Sequence, residues 1–203
     1  MKTLLKGLLA NFGYELKRIK KIPERIVDID DSIKCRKINY ACGNVCMEGW
    51  LNVDGFKRIS DEVLLVDLAD RHPFKADFFE WGFCEDFIEH LSQADSLIFL
   101  AEVYRTFKPG GVCRLSFPCL DGQIRHGPPF SNYDEATAVK EMYYTQWGHF
   151  HLYSKQEFEL LCRHIGFSKV EFKEFGGSDH PELRSLEWRD HVEHYNAYVE
   201  ITK

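Results

Sequence analysis

No apolar run in the chain approaches the roughly 20 residues that a bilayer-spanning helix needs, so a spanning helix is not expected. The seven cysteines (Cys35, Cys42, Cys46, Cys84, Cys113, Cys119, Cys162) are odd in number, irregularly spaced and without a CxxC pair. They read as reduced thiols of a cytoplasmic protein, neither a disulfide framework nor a zinc site. The N-terminal apolar stretch lacks a small-residue cleavage site, so it is not read as a signal peptide. Two phosphate fingerprints are also missing, G-x-G-x-x-G and the G-K-[ST] loop. Their absence disfavours a pyrophosphate-bearing ligand. Lys and Arg number 26 against 32 Asp and Glu, a net charge of −6, so the bulk field does not favour nucleic acid.

What is there suffices for one domain with an appendage. Of the 203 residues, 44% are hydrophobic, including 16 Phe, which is enough for a real core. Charge is uneven. Residues 1–21 carry +5, leaving −11 for the rest. In residues 1–22, Leu4, Leu5, Leu8, Leu9, Phe12, Leu16 and Ile19 oppose a lysine-rich face at helical spacing. Two readings stay open. The helix lies on an anionic surface, such as the inner membrane face, or on a partner; or it packs on its own domain. Residues 35–203 form the main domain.

Strands are expected over 37–41, 50–53, 63–66, 78–84 and 112–117. The run Val63-Leu64-Leu65-Val66 has the pattern of a strand buried on both faces. A helix is expected over 92–107, ended by the turn Lys108-Pro109-Gly110-Gly111. Residues 118–150 hold scattered Pro and Gly and read as a lid or substrate loop, with a helix near 135–143. Ser154 and Glu157 form a capping-box pattern for a helix over 154–165, closed by Gly166. Two late strands over 170–175 and 197–202 suit an antiparallel edge. The order describes an α/β, Rossmann-like open sheet, mostly parallel, with helices on both faces and a ligand at the carboxyl ends of its strands.

The loop after the first strand reads ACGNVCMEGWLNVD. Gly43 permits close backbone approach, and Asp54 ends the next strand, where a carboxylate can accept from both hydroxyls of a ribose. Asp67 closes the third strand in the same layer.

These residues carry a resemblance. NYACGN, GWLNVD, VDLADRHPF, EDFIEHL and EVYRTFKPGGVCRLSFP, in that order, resemble the class I S-adenosylmethionine-dependent methyltransferases. The likeness is strongest to the small branch associated with polysaccharide and cell-envelope glycan biosynthesis. SDHPELRSLEWRD and AYVEITK resemble the same branch. The resemblance implies S-adenosylmethionine as cofactor and S-adenosylhomocysteine as product. Ala41, Cys42, Gly43 and Asn44 would lie under the methionine end, Asp54 at the ribose, Asp67 and Leu68 beside adenine, and Glu85 near the amino-acid portion. Two positions depart from the family pattern. Asn39 replaces the first-strand acid and Ala41 the first loop glycine, which suits the loop only if φ stays negative.

Methyl transfer from a sulfonium asks mainly for alignment and water exclusion, with a base for an oxygen or nitrogen nucleophile. It requires no metal. His149, His151 and His90 are the candidate bases; His90 also suits a structural role at a helix start. The H-x-H pair would hold a metal only with a third ligand. His180 and Arg184 suit either an anionic substrate group or internal ion pairs. Trp147 is a candidate stacking platform, whereas Trp81 and Trp188 read as core. The expected reaction is methyl transfer to a sugar or glycan-linked acceptor. The rivals are a non-catalytic scaffold of the same fold and a small-metabolite methyltransferase.

Overall fold

The computed structural model describes residues 34–55, 62–126 and 133–203. The basic segment over 1–22 lies outside them, and so does part of the 118–150 segment. Seven strands form one sheet: β1 (Lys37–Tyr40), β2 (Leu51–Asp54), β3 (Val63–Leu65), β4 (Phe79–Glu85), β5 (Phe107–Pro118), β6 (Lys169–Lys173) and β7 (Asn196–Thr202). Their order is β3-β2-β1-β4-β5-β7-β6. All pairs are parallel except those of β7, which runs antiparallel to β5 and β6.

The long helices are α1 (Gln93–Thr106) and α4 (Lys155–Ile165), with shorter α2 (Leu120–His126) and α3 (Tyr133–Glu141) between them. Ser92 caps α1 by accepting from the Asp95 N–H, and Ser154 caps α4 by accepting from the Glu157 N–H. Phe99, Leu100 and Val103 of α1 and Phe158 and Cys162 of α4 are fully buried. They pack with Ile38, Tyr40, Val53, Cys113, Leu115, Phe117, Val199 and Ile201 of the sheet in one core. These strand residues share one face because side chains alternate along a strand.

The opposite face is polar. It carries Asn39, Asn52, Trp81, Arg114, Ser116, Tyr198 and Glu200, most of them buried. Residues 174–195 cross it as a loop with a short helical turn, Pro181–Leu183, whose Leu183 is fully buried. Arg114 ties the loop down. Its guanidinium donates to Glu187, to the Gly177 carbonyl at 2.6 Å, to the Glu174 carbonyl at 3.1 Å and to Glu200 at 3.2 Å. Among the described residues, this stapled loop is what crosses that face.

Three expectations need correction. Val63-Leu64-Leu65 is an edge strand among the described residues, with Leu65 54% exposed, because β3 has a described neighbour on one side only. Lys108-Pro109-Gly110-Gly111 lies inside β5. Phe107 already pairs with Phe79, the register skips to Trp81 and Val112, and Gly110 takes the positive φ the irregularity requires. The described part of 118–150, expected as a loop with one helix near 135–143, holds that helix as α3 and a further one, α2. Gly122 hid α2, since glycine usually marks a loop. It is needed because a Cβ there would come within 2.5 Å of the Tyr195 carbonyl oxygen.

Candidate functional site

Strand order reverses beside β1, which lies between β2 and β4. Such a switch point opens a crevice at the carboxyl ends of the strands. Tyr40 is in register with Val53 on one side and Cys84 on the other, so the next residues outward are Ala41, Asp54 and Glu85. A carboxylate thus flanks the β1 turn on each side.

Two cavities meet there. The first, about 230 Å³, runs along Asn39 to Val45 and is closed by Phe83, Glu85, Asp86, Trp188 and Arg189. The second, about 420 Å³, is lined by Asp54, Gly55, Phe87, His90, Gly148 and Phe150 among others. Ala41 and Asp86 border both. Both have left-handed backbone, φ 48° and 47°. For Ala41 the condition of a negative φ is not met. Such strain is typical of binding sites whose surroundings over-determine the chain.

The surroundings do so here. Cys42 N–H donates to the Val53 carbonyl at 3.0 Å, and Gly43 N–H to Asp54 Oδ2 at 3.0 Å. Below them, the Asn39 amide donates to the Val45 carbonyl and to Asn52 Oδ1, each at 2.9 Å. Asn52 returns a bond to the Met47 carbonyl at 3.1 Å and accepts from the Met47 N–H at 2.9 Å. A carboxylate at position 39 could not donate to either partner. Asn39 therefore secures the loop that has no helix to carry it.

Burial pushes the Cys42 thiol up to about 12, helped by Cys46 and Asp54, so it is an inert packing group. Burial, then neighbouring Asp86, raises Glu85 to about 7; contacts with Arg189 oppose this. Its Oε2 is buried and has no hydrogen-bond partner among the described residues. Asp86 is held by Arg189 Nη1 at 2.7 Å and by the Asn196 amide at 2.7 Å.

Other expected site residues scatter. Asn44 and Gly43 line the first cavity. Asp67 turns back to accept from the Ala69 N–H, and the Leu68 side chain belongs to the core. Neither lines the two cavities. His151 pairs with Glu157 at 2.8 Å, packs edge-on against Tyr153 and lines neither cavity. His90 lines the second cavity, and His149 packs edge-on against it with ring centroids 4.8 Å apart. Burial, then His90, lowers His149 to about 4, so its ring is neutral at pH 7. The charged cluster over 179–184 is internal: Asp179 pairs with Lys173, Arg184 donates to the Ser178 carbonyl, and His180 stacks on Trp81. Trp147 is exposed outside both cavities. Trp188, expected in the core, is 54% exposed at the first cavity, with Arg189 over its ring.

Sequence reasoning missed Asp86, Trp188 and Arg189. The available signals were the second acid in EDF and the pair Trp188-Arg189 in WRD.

Comparison with solved structures decides the fold. An S-adenosylmethionine-dependent methyltransferase of Thermotoga maritima superposes with a TM-score of 0.54 at 17% identity, over 83% of this chain and 82% of that one. A methyltransferase of Mesorhizobium loti gives 0.55 at 14%, over 83% and 90%. The chain has the methyltransferase fold. A third similar structure, from Archaeoglobus fulgidus, covers 100% of this chain and 95% of its own at 13% identity and a TM-score of 0.51. Phosphoethanolamine N-methyltransferase 2 of Haemonchus contortus, bound to S-adenosylhomocysteine, reaches 0.54 at 15% identity, over 83% of this chain and 48% of its own. No family model and no curated protein matches the sequence. No helix among the described residues is long and apolar enough to cross a membrane.

Proposed function

We propose that the chain transfers a methyl group from S-adenosylmethionine to an oxygen of a small acceptor, a sugar or glycan-linked hydroxyl. The observation that carries this reading is the carboxylate on either side of the Ala41–Gly43 turn, Asp54 with one cavity and Glu85 with the other. A nucleoside with a diol at one end and an ammonium at the other suits that pair. Glu85 fits the ammonium, since its buried Oε2 lacks a partner among the described residues. Asp54 fits the diol, and the Ala41, Cys42, Gly43 and Asn44 backbone lies between them. Asp67 and Leu68 would contribute beside the base through backbone groups, because their side chains are engaged elsewhere.

The cofactor, when bound, supplies an electrophilic methyl group. The chain's own residues align and shield. Phe87, Leu91 and Phe150 give the second cavity apolar walls that exclude water, and His90 is the imidazole facing an acceptor there. The similar structures that carry S-adenosylmethionine or its product support the cofactor class. A second reading, a scaffold without catalysis, is favoured by Ala41, whose strained backbone replaces the usual glycine.

Calorimetric titration with S-adenosylmethionine and S-adenosylhomocysteine separates the two. Micromolar binding that weakens about tenfold or more in Asp54→Ala supports the enzyme. No heat with either compound, from a folded sample, supports the scaffold.

A further inference from the structure

Beside the second cavity, one ligand atom each from Glu89, His90 and His149 lies within 4.8 Å of the others. Glu89 is 1% exposed, and neither carboxylate oxygen has a hydrogen-bond partner among the described residues. His149 Nδ1 is likewise buried and unpartnered there. His90 Nδ1 lies 3.3 Å from the Gly148 carbonyl. A carbonyl only accepts, so Nδ1 carries a proton, which leaves Nε2 for another partner. His90 Nε2 lies 3.8 Å from Glu89 Oε1.

A buried carboxyl group and two imidazoles therefore converge, and Glu89 Oε1, Glu89 Oε2 and His149 Nδ1 find no hydrogen-bond partner among the described residues. One proton bridges two acceptor atoms at most. A cation can take up all three groups at once.

We propose that Glu89, His90 and His149 form a divalent transition-metal site in the wall of the second cavity, with open coordination positions toward that cavity. Two imidazoles and one carboxylate suit zinc, manganese, iron or cobalt better than calcium or magnesium. Metal–ligand distances of about 2.0–2.2 Å put bound ligand atoms roughly 3–3.5 Å apart. The His90–Glu89 gap closes to that by a small side-chain rotation. The Gly148 carbonyl acts as the second-shell group that fixes the His90 tautomer. His90 is partly exposed at the cavity and provides the entry path. Phe150 N–H and His151 N–H donate to the Glu89 backbone carbonyl, at 2.7 and 3.3 Å, which locks the His149 segment onto the Glu89 segment.

The open positions would take oxygen donors, and a metal-bound hydroxyl loses its proton near neutral pH. This last point rests on the methyltransferase reading; the metal site itself does not.

The test is calorimetry of the chelator-treated full chain with zinc chloride and, separately, manganese chloride. One ion per chain is expected, at micromolar affinity or tighter. Glu89→Gln and His149→Ala should each weaken it about tenfold or more. His164→Ala, on the exposed face of α4, should leave it unchanged. Absence of saturable binding by the wild-type chain overturns the proposal, and so does equal binding by either site variant that still melts cooperatively. Should the variants unfold, cobalt chloride decides on the wild type. Visible bands of nitrogen-ligated cobalt support the site, and a spectrum identical to cobalt in buffer overturns it. Titration of the same samples with S-adenosylhomocysteine reports separately on the cofactor reading.

Discussion

The two faces of the sheet solve the same covering problem by different chemistry. One face is apolar and is covered by α1 and α4, whose Phe99, Leu100, Val103 and Phe158 need only fill space. The other holds Arg114, Glu200, Asn39 and Asn52 and, among the described residues, is crossed by loops. Loops bring backbone carbonyls rather than greasy side chains, so the sheet beneath must offer donors. Arg114 supplies them to Gly177 and Glu174, and Asn39 supplies one to Val45. The lesson is one of tolerance. The helical face accepts any well-shaped hydrophobe, whereas the loop face depends on particular donors and acceptors. The candidate site opens where the loop face reaches the strand ends, so its walls come from those same loops.

The largest expected effect is on the loop face. Arg114→Ala leaves Glu187 and Glu200 buried without a counter-charge and should cost about 3–5 kcal/mol in urea unfolding. Ile38→Val, on the helical face, should cost about 1 kcal/mol. Similar costs for both would break the comparison. Next comes Asn39→Asp, which replaces a donor with a second acceptor against Val45 and Asn52. A loss of about 1–3 kcal/mol is expected, read as a shifted urea midpoint.

The third test is pH. Glu85 lies at about 7 in the folded chain, above its ordinary 4.5. A raised carboxyl contributes stability that is present below 4.5 and lost as pH rises through about 7. Glu85→Gln should remove that part of the slope, seen by comparing midpoints of the two proteins across this range. His149, lowered from 6.5 to about 4, works in the opposite sense: its contribution is present above 6.5 and lost as pH falls toward 4. The smallest effect is Ala41→Gly. Relief of about 1–2 kcal/mol of left-handed backbone strain is offset by about 0.5–1 kcal/mol of extra chain entropy, a net gain near 0.5 kcal/mol in thermal unfolding.

Most of the fold was legible. Apolar runs located the strands, helical spacing located α1, a capping box located α4, and the Gly43 loop pointed to the carboxyl end of β1. The polar face was also written in the alternation of Val112-Cys113-Arg114-Leu115-Ser116-Phe117 and Ala197-Tyr198-Val199-Glu200-Ile201, where every second residue faces the loop. Less of the site was legible. Asp86 and Glu85 are adjacent in sequence, but only the left-handed turn at Asp86 brings it between the cavities. Trp188 and Arg189 arrive from about 100 residues away on the β6–β7 loop, a distance no local pattern spans. His149 and His151 look equivalent in GHFHLYS, and only packing separates one beside His90 from one paired to Glu157.

The most direct test of the central claim is calorimetry with S-adenosylhomocysteine on either side of the Glu85 transition near 7. The account predicts micromolar binding that tightens as pH rises and Glu85 ionises to meet the ligand's ammonium, with the pH dependence lost in Glu85→Gln. Absence of binding by the folded chain at both pH values would contradict it.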